Sequence, residues 1–308
     1  MNPLISRAAA LAVALVLLPS AALACACGCQ VFDVGGTPLM ASAKGGEVFV
    51  EYDFMDQTRN FSGTHGSPGA DNEDKQIRSN FVVAGVQYMF TKDWGVMAEV
   101  PVTNRYFRTA EGGPDVQSFN HTAFGDIRLM GIYTGLSPDM STGLIAGVKL
   151  PTGDFRYAGF DRDVAIGSGS TDILLGGYHM GALSKDGAWR YFLQGQFDIP
   201  VATQDGYRPG DEFDGALGVS YAAWTSGDGR FRLSPVVQMI GSARVKDSGI
   251  EADPANSGYG RLLISPGVQL DAGSWKIYGD VEFPVYQGVN GNQLVAPELF
   301  KLVVSRRF

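Results

Sequence analysis

Hydrophobic and polar positions along this 308-residue chain follow two different rhythms. The first is a single unbroken apolar run, Ala8 to Leu18, preceded by Arg7 and followed by Pro19 and the small-residue site Ala22-Leu23-Ala24. A basic start, a short apolar stretch and an A-x-A site predict a cleavable secretory signal over residues 1–24, with cleavage before Cys25. The run is too short to cross a bilayer as a helix, and no later stretch approaches the ~18 consecutive apolar residues such a helix needs. A mature chain that crosses a membrane must therefore do so as a closed barrel.

The second rhythm begins at Glu47 and has period two. In Trp275 to Phe283, residues Trp275, Ile277, Val281 and Phe283 share one face, and Lys276, Asp280 and Glu282 share the other. Ile127, Leu129 and Tyr133 alternate in the same way with Asp126 and Arg128. So do Trp189, Tyr191, Leu193 and Phe197 with Arg190, Gln194, Gln196 and Asp198, and Leu262, Ile264 and Val268 with Arg261, Ser265 and Gln269. Successive side chains of a strand point to opposite faces, so in a membrane barrel the charges point inward and the apolar residues toward lipid. About twelve such segments are predicted, from Val48 to Phe54 through Leu299 to Phe308, an even number as bacterial barrels require. Tight turns such as Thr91 to Asp93, Ser184 to Gly187 and Ala272-Gly273 alternate with longer polar loops such as Gln57 to Gln76 and Asp154 to Thr171. Short turns are expected on the periplasmic side, which places both chain ends there. A soluble β-sandwich also alternates. The even count, the unequal loops, the aromatic residues near strand ends and the terminal Phe308 favour the membrane barrel.

Prolines recur in Glu99-Val100-Pro101, Lys149-Leu150-Pro151, Asp198-Ile199-Pro200 and Glu282-Phe283-Pro284. Proline cannot donate to a strand ladder, so each is expected to end an outward-going strand. The final LFKLVVSRRF, with Phe300, Leu302, Val304 and Phe308 on one face and Arg306 interrupting it, resembles the C-terminal signal by which the barrel-assembly machinery recognises its clients. Composition agrees: 41 Gly, 4 Trp, 12 Tyr and 18 Phe suit a turn-rich barrel with interfacial rings. The net charge of −8 becomes −9 once Arg7 leaves with the signal, and the basic residues are scattered. A nucleic-acid partner is therefore excluded, because phosphate contacts need clustered Lys and Arg. The expected organisation is a signal (1–24), a periplasmic Cys-rich segment (25–46) and an all-β, antiparallel up-and-down transmembrane barrel (47–308), a monomer in contact with outer-membrane lipids.

The stretches GDIRLMGIY (Gly125 to Tyr133), GLIAGVKLPTGDF (Gly143 to Phe155) and GSGSTDILLGGYHMG (Gly167 to Gly181) resemble the family of outer-membrane transporters named for the meta-pathway of phenol degradation. The resemblance extends in style over residues 80–308, with only these central motifs specific. It implies an outer-membrane barrel that passes small solutes and carries no catalytic residues.

Candidate lumen-lining charges are Glu99, Asp126, Arg128, Lys149, Arg190, Asp198, Lys276, Asp280 and Glu282, with Asp172 beside them. They either steer a small-molecule or ion substrate or pair with one another to fill a narrow interior. All three cysteines, Cys25, Cys27 and Cys29, fall in the first five mature residues. A turn at Gly28 would gather three thiolates around one soft ion, Cu(I) first and Zn(II) second. A disulfide with one thiol left over, or lipidation of Cys25, are the competing readings. His65, His121 and His179 stand apart from any metalloprotease spacing, and no nucleophile elbow, P-loop or dinucleotide fingerprint is present, so an enzyme is not expected. Two readings of function result: a small-solute or ion channel whose Cys segment binds metal or plugs the inner mouth, and a non-conducting barrel that docks a periplasmic or surface partner.

Overall fold

The computed structural model describes residues 34–36, 40–41, 43–110 and 115–308. Twelve long strands run in chain order: β1 (Gly45–Gln57), β2 (Asp74–Met89), β3 (Trp94–Thr109), β4 (Ile127–Tyr133), β5 (Thr142–Leu150), β6 (Ser170–Ala182), β7 (Trp189–Thr203), β8 (Glu212–Tyr221), β9 (Phe231–Arg244), β10 (Tyr259–Ala272), β11 (Trp275–Val295) and β12 (Leu299–Arg307). Each pairs antiparallel with the next, and β12 returns to β1 from Glu47↔Arg307 to Met55↔Leu299. The all-β, twelve-stranded barrel read from the period-two pattern is thus the observed fold. Closure leaves no sheet edge, which is what allows strands to stand in hydrocarbon.

The outer surface is apolar by register as well as by sequence. Leu193, Leu217, Met239, Ile264 and Phe283 are directly opposite one another across β7 to β11 and form one lipid-facing row, each at least 40% exposed. All four tryptophans lie at the short-turn end. Trp94 packs on Tyr133 and Trp189 on Tyr221, with ring centroids 4.6 and 4.7 Å apart. Arg306, which interrupts the apolar face of the last strand, lays its guanidinium 5.4 Å from the Trp275 ring. Its stem covers aromatic surface while its charge reaches the interface.

Two of the short turns share one piece of chemistry. Ser184 Oγ donates to Asp186 Oδ1 at 2.5 Å, which also accepts from Ala188 N, while Ser184 Oγ accepts from Trp189 N. Ser226, Asp228, Arg230 and Phe231 repeat the arrangement. These bonds to the ionised form hold Asp186 and Asp228 below the usual carboxylate range.

Three of the four prolines depart from expectation. Pro151 follows the last residue of β5, but Pro101, Pro200 and Pro284 lie inside strands. At Pro101, β3 leaves β4 after Glu99↔Arg128 and takes up the short strand Gln117–Phe124 from Val102. Pro200 and Pro284 stand at register shifts of β6 with β7 and β10 with β11. In each case the ladder on one side ends just before the proline and the ladder on the other carries on, unshifted at Pro101 and with a bulge at Pro200 and Pro284, so the strand continues past it.

Leu217→Arg, near the middle of the lipid-facing row, should cost about 2–4 kcal/mol. Equilibrium unfolding in lipid vesicles measures it, and a loss below half that range would place Leu217 away from the hydrocarbon centre.

Candidate functional site

Inside the barrel the alternating rule holds in direction but not in polarity. In the short-turn half many inward positions are apolar, among them Met89, Met97, Met130, Ile132, Ile145 and Phe192, and they form one buried cluster. The sequence pattern assigned charges to the inner face. The structure corrects this for the apolar cluster of that half, and the reason is what those residues pack against. Val34, Met40 and Ala41 of the chain's own N-terminal stretch belong to the same cluster and are 1–2% exposed. Flexible methionine side chains suit such an irregular fill.

That stretch has a built seat. Gly35 N donates to Gln194 Oε1 of β7 at 3.3 Å, and Gly36 N to Gln238 Oε1 of β9 at 2.9 Å. Tyr178 of β6 donates to Ala41 O at 2.9 Å, and Lys301 Nζ of β12 to Val34 O at 3.4 Å. Four strands on different sides of the lumen thus satisfy backbone groups that burial would otherwise leave unpaired.

Further along the axis the interior turns charged. Lys149 of β5 bonds to Asp172 of β6 and to Asp198 Oδ2 of β7 at 3.3 Å, and Arg128 of β4 lies 3.5 Å from the same oxygen. Three of the candidate charges, Arg128, Lys149 and Asp198, therefore form one network. On the opposite wall Asp280 Oδ2 accepts from Tyr278, Ser265 and Gln238 at 2.6–2.8 Å. Next to it in β11, Glu282 is fully buried and neither carboxylate oxygen has a hydrogen-bond donor. Lys301 Nζ reaches Glu51 Oε1 at 3.4 Å.

Asp126, just before β4, is a loop anchor. It accepts from Gly153 N at 2.9 Å, Ser168 N at 2.8 Å and Ser168 Oγ at 2.6 Å, closing the base of the β5–β6 loop. There Gly153 and Gly167 meet backbone to backbone, and a Cβ on Gly167 would lie 2.5 Å from Gly153. The central glycine motifs of the sequence converge on this point. The loop folds inward over the lumen: Arg105 of β3 donates to Val164 O and Ala165 O at 2.7 and 2.9 Å, and Val164 packs with Ile77, Phe107 and Leu294. Arg162 lies 4.7 Å from both the Phe155 and Tyr207 rings, and burial pulls its guanidinium below the usual arginine range. His121, isolated in sequence, bonds Asp154 at 2.9 Å and stacks on Tyr157.

Beside the inturned loop, with Asp163, Ile166 and Ser168 in its wall, lies a cavity of about 190 Å³. Glu99 lines it, together with Glu51, Asp53, Phe81 and Pro101. The remaining candidates, Arg190 and Lys276, stand at the short-turn mouth with Arg230, Arg232 and Arg307. The nine candidates thus divide among the paired network, the loop anchor, the opposite wall, the cavity and the mouth. Sequence reading passed over Glu51, Asp53, Glu212 and Lys301. Glu47-Val48-Phe49-Val50-Glu51-Tyr52-Asp53 alternates with only Phe49 interrupting the polar face, so the first two were legible as inward. Cys25, Cys27 and Cys29 lie outside the described residues.

Lys149→Met should destabilise the barrel by about 3–5 kcal/mol, since it strips two buried carboxylates of their cation. Adding Asp172→Asn and Asp198→Asn should recover most of that loss in equilibrium unfolding. An unchanged midpoint in the single variant would show that the network carries no stability.

No protein-family model matches the chain, and no curated protein matches it in sequence. Solved structures do resemble it. An outer membrane channel from Pseudomonas putida F1 is similar over 89% of this chain and 100% of that one, with a TM-score of 0.67 at 12% identity. The β domain of the Bordetella autotransporter Brka is similar over 86% and 100%, with a TM-score of 0.52 at 13% identity. At such identities the likeness establishes the fold, a closed antiparallel barrel of the outer-membrane kind.

Proposed function

We propose that the protein is an outer-membrane channel for small solutes with an apolar body, held shut from both ends at rest. The observation that carries this reading is a cavity in the lumen with the inturned loop as part of its wall, together with an N-terminal stretch seated inside the same barrel. A purely structural barrel of this width would fill its interior with paired side chains. Here a cavity remains, with Phe81, Val83, Pro101 and Ile166 in its walls beside charged groups. The N-terminal stretch is tied by single hydrogen bonds to four strands, a seat that can release without breaking the barrel. The similar Pseudomonas structure is itself a channel, which favours the same reading here.

Export follows from the signal over residues 1–24, and insertion from recognition of the strand ending in Phe308 by the barrel-assembly machinery. The short turns and both chain ends then face the periplasm, with the long loops outside. A monomer suffices, because the barrel closes on itself and its cavity is complete within one chain.

Conductance in planar bilayers tests the reading. The full mature protein should open rarely, and the Gln194→Ala/Gln238→Ala variant, which loses the seat for Gly35 and Gly36, should open more often and more widely. A heat-modifiable barrel that conducts in neither form would overturn the channel and leave the docking barrel in its place.

For Cys25, Cys27 and Cys29 we infer a soft-metal site carried at the end of the N-terminal stretch, with Cu(I) the best fit to three thiolates and Zn(II) second. Reduced mature protein should take up Cu(I), and the variant with all three cysteines changed to Ser should not. Equal uptake by both would end that inference.

A further inference from the structure

Four strands turn a cation into the short-turn mouth. Arg190 of β7, Arg232 of β9, Lys276 of β11 and Arg307 of β12 line one open vestibule of about 400 Å³, with Arg230 of the β8–β9 turn beside them. Parity fixes their direction. They fall on the strand faces that carry the buried Phe192, Ser234, Tyr278 and Ser305, so they point to the lumen and lipid does not reach them. In the sequence these residues are far apart, and only closure of the barrel brings them to one space.

The carboxylates nearby are committed elsewhere. Glu47 takes Arg307 at 3.2 Å, and Asp228 lies 3.8 Å from Arg230. Asp271, in the vestibule wall, is directly opposite both Arg232 and Lys276 in register, yet both of its oxygens accept from Gln269 Nε2 at 3.1 Å. Lys276 feels Glu47 and Asp271 only at longer range. Among the described residues the side chains of Arg190, Arg232 and Lys276 enter no ion pair and no hydrogen bond.

Like charges gathered in a concave space raise the potential there and draw counter-ions in. The chain as a whole carries −8, so a positive vestibule is a local feature and not the average of the surface. A guanidinium presents its N–H donors in a planar fork that matches two oxygens of a carboxylate or a phosphate, and an ammonium adds three donors more. A space of about 400 Å³ is on the scale of small-molecule pockets, enough for a compact solute and too small for a folded partner.

We infer that this vestibule is a binding site for small oxyanions, solutes bearing a phosphate or carboxylate group, whose oxygens are held by Arg190, Arg232 and Lys276. The paired Arg307 and Arg230 add to the potential that attracts them. The site stands apart from the channel reading, because an anion can bind at the mouth whether or not the barrel conducts.

The test is a calorimetric titration of the full mature barrel, in a non-ionic detergent at neutral pH and low salt, with inorganic phosphate, succinate and putrescine as probes. Phosphate and succinate should bind saturably and putrescine should not. Arg190→Gln/Arg232→Gln should weaken the anions about tenfold or more, the scale of one lost charge-assisted hydrogen bond. Both side chains are exposed, so the double change should leave the barrel heat-modifiable. Arg306→Gln removes a charge from the same end of the barrel but from its outer face, over Trp275, and should leave anion binding unchanged. Uptake of phosphate alone or succinate alone keeps the site and identifies the head group it prefers. No anion binding, putrescine binding as tight as that of the anions, an affinity untouched by Arg190→Gln/Arg232→Gln, or an equal loss in Arg306→Gln would each overturn the inference. Bilayer recordings separate it from the channel: phosphate binding to a barrel that never conducts keeps the site and loses the channel, and conduction without anion binding does the reverse.

Discussion

Everything in this molecule depends on the pairing of β12 with β1. Hydrocarbon offers no hydrogen bonds, so every backbone donor and acceptor at membrane depth must find its partner inside the chain. Eleven consecutive hairpin contacts would still leave two bare edges. The nine residue pairs from Glu47↔Arg307 to Met55↔Leu299 remove both. The lipid-facing rows, the ring belt and the lumen exist only because that closure makes an inside and an outside.

Closure also sets the electrostatic problem the interior must solve. Twelve strands enclose more space than side chains of one layer can fill, and the chain meets the surplus differently in its two halves. Near the short turns it imports its own N-terminal stretch and makes a dry, methionine-rich core around it. Nearer the long loops it uses charges, and these are ordered in pairs and triads such as Lys149 with Asp172 and Asp198. A buried ion pair contributes little net stability against an apolar replacement, yet losing one partner is expensive. Such networks therefore act more as constraints on which arrangement the interior adopts than as a source of stability. On the opposite wall Lys301 is the cation set among the buried carboxylates of β1 and β11, with its Nζ 3.4 Å from Glu51.

The two closures are physically unlike. The inturned β5–β6 loop is held by Asp126 at its base, by Arg105 at its tip and by a small apolar cluster around Val164. The N-terminal seat is polar and one bond deep at each contact, with three small or flexible apolar residues pressed into the core. The first resembles a permanent constriction and the second a stopper, and a passage through the barrel has to contend with both.

The sequence by itself determined the strands, their number, the side each residue takes and the position of each turn. Period two is a property of the extended backbone, and the turn residues Ser, Asp and Gly act within a few positions of one another, so neither needs distant contacts. The inward direction of Arg128, Lys149 and Asp198 was equally legible, because side-chain direction follows from parity. Tertiary structure alone decided what inward meant. That Lys149 faces Asp198 while Asp126 grips Ser168 depends on which strands become neighbours and on where a loop folds back. That Met89 and Ile132 point inward to an apolar core rather than to water depends on Val34 and Met40 arriving from the far end of the chain. Pro101, Pro200 and Pro284 show the same limit: a missing donor is visible in the sequence, but whether it ends a strand or only one of its two ladders depends on which neighbour faces the missing N–H.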